Sequence, residues 1–166
     1  MNPPMAAAGF VQNFSETAHS FSSSHRGRKI RGMTPSKGGD RDEAERVIAL
    51  MVLAAWADGR VEGSEAFAIQ RLVSANPLLV HVRPISAIAD ETRDRLRDKG
   101  MDACLAEACA ALPDRTYREL AFQCCAKVMG ADRLFPMEEE SVLRKLQGLL
   151  GLESADAERL LVLATR

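Results

Sequence analysis

Apolar residues recur at helical spacing along most of the chain beyond residue 39, and no segment shows the alternation of a strand. After Asp40, the residues Val47, Leu50, Met51 and Ala54 fall on one helical face. From Ile48 to Ala57 the chain is apolar almost all round, which predicts a central, buried helix. Asp40 followed by Glu43 has the spacing of a capping box, and an acidic first turn suits the helix dipole. Gly59 is placed to end this helix. A second helix is predicted over residues 63–75 with Phe67, Ile69, Leu72 and Val73 inward, stopped by Asn76-Pro77.

Two further helices are expected at about 84–98 and 101–112, separated by Gly100. The first is dense in Asp, Glu and Arg and should lie on the outside. Pro113-Asp114 opens a fifth helix with Tyr117, Leu120, Ala121, Cys124 and Val128 on one stripe. Pro136 suits the first turn of a sixth, running to about Leu149, and Gly151 separates it from a last helix near 154–165. Ala and Leu dominate the composition while Tyr and Trp occur once each, which favours helix over strand. The expected fold is therefore all-α, a single bundle of about seven helices.

Residues 1–39 are rich in Ser, Gly, Pro and Ala without a lasting hydrophobic period, and they predict a disordered tail ahead of a domain at 40–166. Phe10, Val11 and Phe14 form the one short apolar stretch there, for which an inert tail is the preferred reading over a docking segment. The tail carries five bases against Glu16, a net +4, whereas the remainder has 17 bases and 22 acids, a net −5. The cluster from Arg26 to Arg31 offers few phosphate contacts and no base-reading element, so nucleic acid is not the expected partner. No apolar run reaches the length of a bilayer span, and residues 1–39 lack a charged n-region followed by an apolar h-region, so a secretory signal is not expected. Cys104, Cys109, Cys124 and Cys125 lack C-x-x-C spacing and sit in apolar helical stretches, which predicts buried free thiols in a reducing, cytoplasmic setting.

The exits of the first and fifth helices resemble each other. Ala57 to Glu65 reads Ala-Asp-Gly-Arg-Val-Glu-Gly-Ser-Glu, and Ala131 to Glu139 reads Ala-Asp-Arg-Leu-Phe-Pro-Met-Glu-Glu. Each places an Asp after an apolar helix, an apolar residue three later (Val61, Phe135) and a Glu seven later. The bundle thus divides into two pseudo-repeated halves, each helix, acidic turn, helix. Asp58 and Asp132 would lie near helix C-termini, where the dipole disfavours an anion and a bound cation reverses the sign. Exposed carbonyls there are hard oxygen ligands, and Glu65 and Glu139 in the next helix are positioned to close round calcium or magnesium. The competing reading is that each Asp only caps a helix or shapes a turn. The loop is not an EF-hand, since it lacks alternating Asp/Asn and a Glu at position twelve.

The stretch Ala54-Ala55-Trp56-Ala57-Asp58-Gly59-Arg60-Val61 with Glu65, the segment from Val128 to Glu139, and Leu149-Leu150-Gly151-Leu152 together resemble the TerB family of tellurite-resistance-associated helical domains, over roughly residues 42–165. The resemblance implies an all-helical fold in two halves, divalent-cation binding at the acidic turns and a role in tellurite or general stress responses. Its metal ligands would be Asp58, Glu65, Asp132 and Glu139, with Glu62, Glu138 and Glu140 as neighbours that more simply form a solvated charged face. Arg133 departs from the pattern by standing where the first half has Gly59; its guanidinium is placed to pair with Glu139 or Asp132 in place of an ion. Histidines, a base-paired nucleophile and a Gly-rich phosphate loop are absent from the predicted core, so catalysis is not expected. The expected function is a non-enzymatic, cation-responsive regulatory module acting on a protein partner. A metal-independent helical protein-interaction adaptor is the alternative.

Overall fold

A computed structural model describes residues 39–57, 59, 61, 63–132 and 137–164, with the side chains of 132 and 137–139 outside the description. The tail, with its apolar stretch and basic cluster, lies outside the described residues. Among the described residues, seven α-helices follow one another: α1 (Gly39–Ala55), α2 (Gly63–Ala75), α3 (Ile85–Lys99), α4 (Met101–Ala110), α5 (Arg115–Met129), α6 (Met137–Leu149) and α7 (Ser154–Ala164). A 3-10 turn, Gly130–Asp132, extends α5, and no strand occurs among the described residues. The fold is all-α.

Two helices form the centre. Along α1, Val47, Ile48 and every residue from Leu50 to Ala55 are buried, as an all-round apolar sequence requires. α5 is buried almost as completely, through Tyr117, Ala121, Phe122, Cys124, Cys125, Ala126, Val128 and Met129. Packing α5 against α1 is the most extensive helix–helix contact in the molecule. Ala and Cys hold several of the buried positions on the two helices (Ala54 and Ala55 on α1; Ala121, Cys124, Cys125 and Ala126 on α5), short side chains that suit close helix packing. α3 and α4 cover one side of α1, α2 bridges α1 and α5, α6 packs on α4 and α5, and α7 packs on α5.

The connections are set by local chemistry. Asp114 caps α5, its carboxylate accepting from the Thr116 N–H at 2.6 Å. Gly100 (φ 81°) and Gly151 (φ 63°) take left-handed conformations at the ends of α3 and α6. After α2, the Asn76 side chain accepts from the Leu78 N–H, and fully buried Leu79 pins the loop to the core. Arg83 then ties this loop to α1: its N–H and Nε donate to Glu45 at 3.1 and 2.8 Å.

Two local expectations are corrected. Phe67 is 53 % exposed, not inward. The buried residues of α2 are Glu65, Ala66, Ile69 and Val73, and at 100° per residue Phe67 falls on the opposite side of the helix. The capping box at Asp40 does not form either. α1 already begins at Gly39, and the Glu43 carboxylate accepts instead from the Asp114 N–H at 3.2 Å, tying the start of α1 to the start of α5.

Candidate functional site

The first acidic segment begins where α1 stops. Trp56 N–H is shared between the Val52 and Leu53 carbonyls at 3.2 and 3.1 Å, and Ala57 N–H reaches Ala54 at 3.1 Å, so the helix tightens before it ends. Gly59 N–H then returns to the Trp56 carbonyl at 2.9 Å, with φ at 85°. Among the described residues, nothing beyond its chain neighbours lies within 4 Å of where a Cβ on Gly59 would be, so the backbone angle selects glycine. Val61 packs against the core and α2 starts at Gly63. Glu65 sits in the first turn of α2, where the helix dipole favours an anion, and its side chain is buried at 7 % exposure. Glu65 is not without an interaction partner.

The second acidic segment leaves its helix differently. Gly130 has φ −81°, an ordinary right-handed value, and its N–H reaches the Ala126 and Val128 carbonyls. The chain continues as the 3-10 turn to Asp132, and Glu139 lies in the first turn of α6. α2, the helix that carries Glu65, packs against this 3-10 turn and against α5. The helix that carries Glu65 in the first half thus rests on the turn that ends α5 in the second.

Of the four predicted ligands, Glu65 is the one whose side chain the structure describes. Asp58, with Arg60 and Glu62, lies outside the described residues, as do Arg133 and Phe135 and the side chains of Asp132, Glu138 and Glu139. Glu140 is exposed and pairs with Arg144 at 2.7 Å, one turn along α6. Among the described residues, no three His, Cys, Asp or Glu side chains converge.

All four cysteines are free and buried, as expected. Burial pushes the Cys109 thiol up to about 12 and Cys124 to about 11, and raises Cys125 well above its ordinary value. These are packing groups and poor nucleophiles at neutral pH. No helix among the described residues is long and apolar enough to cross a membrane.

One cluster is only partly marked in the sequence. Arg83, in the loop before α3, joins Glu45 on α1 to Glu91 on α3, and Arg95 donates to the same Glu91. Thirty-eight residues separate Glu45 from Arg83. The Arg41–Glu45 pair on α1 and the Glu91–Arg95 pair on α3, each four apart, are visible as spacings; the bridge through Arg83 that joins them is not.

No curated protein and no solved structure matches the chain. The family described as tellurite resistance protein TerB matches it over residues 44–162, from the first turns of α1 into α7 and through both acidic segments. With a match over most of the described bundle and the two helix–turn–helix halves in place, the chain belongs to the TerB family.

Proposed function

We propose that this protein is a non-enzymatic regulatory module of the TerB family, cytoplasmic and stress-associated, whose acidic segments take a divalent cation and present the result to a protein partner. One observation carries the reading: a buried carboxylate, Glu65, opens a helix that packs on the turn ending in Asp132. Burying a carboxylate is costly unless cationic or hydrogen-bonding groups offset it. Beside the partner Glu65 already has, a calcium or magnesium ion drawing oxygens from both segments would add to that compensation and lock the two halves together. Occupancy would then stiffen the junction between α2 and α5, the surface a partner would sense.

The test is calorimetric titration of the full chain with calcium and with magnesium, alongside amide shifts by NMR. Saturable binding that weakens tenfold or more in Glu65→Gln and in Asp132→Asn is the expected result. No binding at millimolar ion of either kind would overturn the reading.

A metal-independent adaptor is the second reading, favoured by Phe67. A 53 %-exposed phenylalanine two residues beyond Glu65 is a large apolar group on the same first turns of α2. Under this reading, the double variant Asp58→Asn with Asp132→Asn keeps partner capture intact while Phe67→Ser loses it.

A further inference from the structure

A second polar site lies away from the acidic turns, between α1, α3 and α4. Two small hollows of about 50 and 40 Å³ open side by side there. Arg46, Ala49, Thr92 and Arg95 line both. Each has room for a few waters or one small oxyanion, and for no larger organic body.

The cations around these hollows are not equally engaged. Glu45 accepts from Arg41 Nε and from both the N–H and Nε of Arg83. Glu91 accepts from Arg83 and Arg95, and both oxygens of Glu107 accept from Lys99 at 2.8 and 2.9 Å. Three carboxylates thus serve Arg41, Arg83, Arg95 and Lys99. Arg46 is a fifth cation, half-buried between the hollows, and among the described residues it has no hydrogen bond or ion pair. Asp42, one turn earlier on α1, is not within ion-pair distance of it either. The Glu107 carboxyl lies below its ordinary value, chiefly through the Lys99 hydrogen bond, with Arg95 and Arg46 adding to the same field. Three arginines (Arg46, Arg83, Arg95) and three carboxylates (Glu45, Glu91, Glu107) line the hollows, and because Arg41 and Lys99 also take up those carboxylates from outside, Arg46 is left, among the described residues, as the unengaged cation.

We propose that this groove binds a phosphate-type oxyanion through the guanidinium groups of Arg46 and Arg95. A guanidinium presents planar, paired donors that match a tetrahedral oxyanion, and Arg46 has that donor face unspent. The Glu91 pairing holds Arg95 across the groove from α1. Ala49, Leu53 and Ala108 line the apolar wall of the hollows, which reduces competition from water and strengthens charge-assisted bonds at the mouth. The same chemistry is offered by free inorganic phosphate and by a phosphoryl group carried on a larger ligand.

The experiment uses the full chain labelled with 15N, following amides and arginine Nε–Hε signals at constant ionic strength. Inorganic phosphate and O-phosphoserine are titrated in separate arms, with chloride and acetate as controls. The expected result is saturable movement of the Arg46 and Arg95 Nε–Hε signals with phosphate, and affinity about tenfold or more lower in Arg46→Gln. Arg95→Gln weakens binding as well, and Arg46→Lys, which keeps the charge, retains part of it. Phosphoserine binding tighter than phosphate assigns the anion to a larger ligand; equal or weaker binding assigns the free ion. Movement that grows linearly and equally with chloride overturns the site, as does acetate binding as tightly as phosphate. Saturable binding left intact by Arg46→Gln and Arg95→Gln overturns it too. If Arg46→Gln fails to fold, Arg46→Lys and Arg95→Gln decide alone.

Discussion

The two halves of the bundle carry the same Asp-to-Glu spacing on different backbones. α1 ends at Ala55, tightens over Trp56 and Ala57, and turns through Gly59 at φ 85°. α5 does not turn away at once; it runs on through Gly130 at φ −81° into a 3-10 extension. Their second helices also diverge: α2 leans across onto α5 and the 3-10 turn, whereas α6 leans on α4 and α5. Equal spacing in sequence therefore yields unequal turns. The first half supplies a buried acid, and the second supplies the turn that this acid's helix rests on.

Where the halves are alike is the central pair, and there the largest effects are expected. Phe122 on α5 and Leu50 on α1 are both fully enclosed in the core. Phe122→Ala should cost about 3–5 kcal/mol and Leu50→Ala about 2–5 kcal/mol, as transfer plus cavity terms. Urea unfolding followed by circular dichroism measures both. A loss below about 1 kcal/mol at either position would break the equivalence of the two central helices.

The exits should separate the halves more finely. Gly59→Ala places a Cβ in open space but on a left-handed backbone, so it should destabilise by about 1–2 kcal/mol. Gly130→Ala falls on an ordinary helical angle and carries no such backbone penalty. Equal losses in thermal unfolding at the two glycines would mean that the exits are not as different as their backbone angles make them.

Most of this architecture was legible because the signals are local. Apolar periodicity, Pro113-Asp114 as a helix start, and Gly100 and Gly151 as separators each act within a turn or two of the chain. The buried thiols followed from the apolar stretches around them. Phe67 was misread because hydrophobicity alone does not fix helical phase; the stripe of Ala66, Ile69 and Val73 does. Glu43 was misread because its carboxylate accepts from the Asp114 N–H, seventy-one residues away, a donor that no local spacing reveals. The Glu45–Arg83–Glu91 bridge was illegible for the same reason, since tertiary contacts across α1, α3 and the loop between α2 and α3 leave no spacing to read. Of the first acidic segment, Gly59 as the turn and Glu65 in the first turn of α2 were legible, but not that Glu65 would be buried or that its helix would pack on the other half.

The smallest expected effect concerns the clasps on the two central helices. Glu45 holds α1 to the loop before α3 with its side chain 14 % exposed, while Glu119 on α5, bonded to Arg115 and Arg159, is 26 % exposed. Burial alone would raise the Glu45 carboxyl, but hydrogen bonds from the Arg83 N–H, from Arg83 Nε and from Arg41 override it and hold it below its ordinary value. A carboxyl depressed in the folded state contributes stability above its unfolded pKa of about 4.3, and that contribution disappears as pH falls through the folded value. Because the clasp is near the surface, about 1 kcal/mol or less is at stake. Urea midpoints between pH 7 and pH 3 should therefore fall less steeply in Glu45→Gln than in the parent, the variant having lost at neutral pH what acid would otherwise remove. Glu119→Gln, on the more exposed clasp, should lower the midpoint at neutral pH by less than Glu45→Gln does. The reverse ranking would place the stronger clasp on α5, and with it the firmer of the two halves.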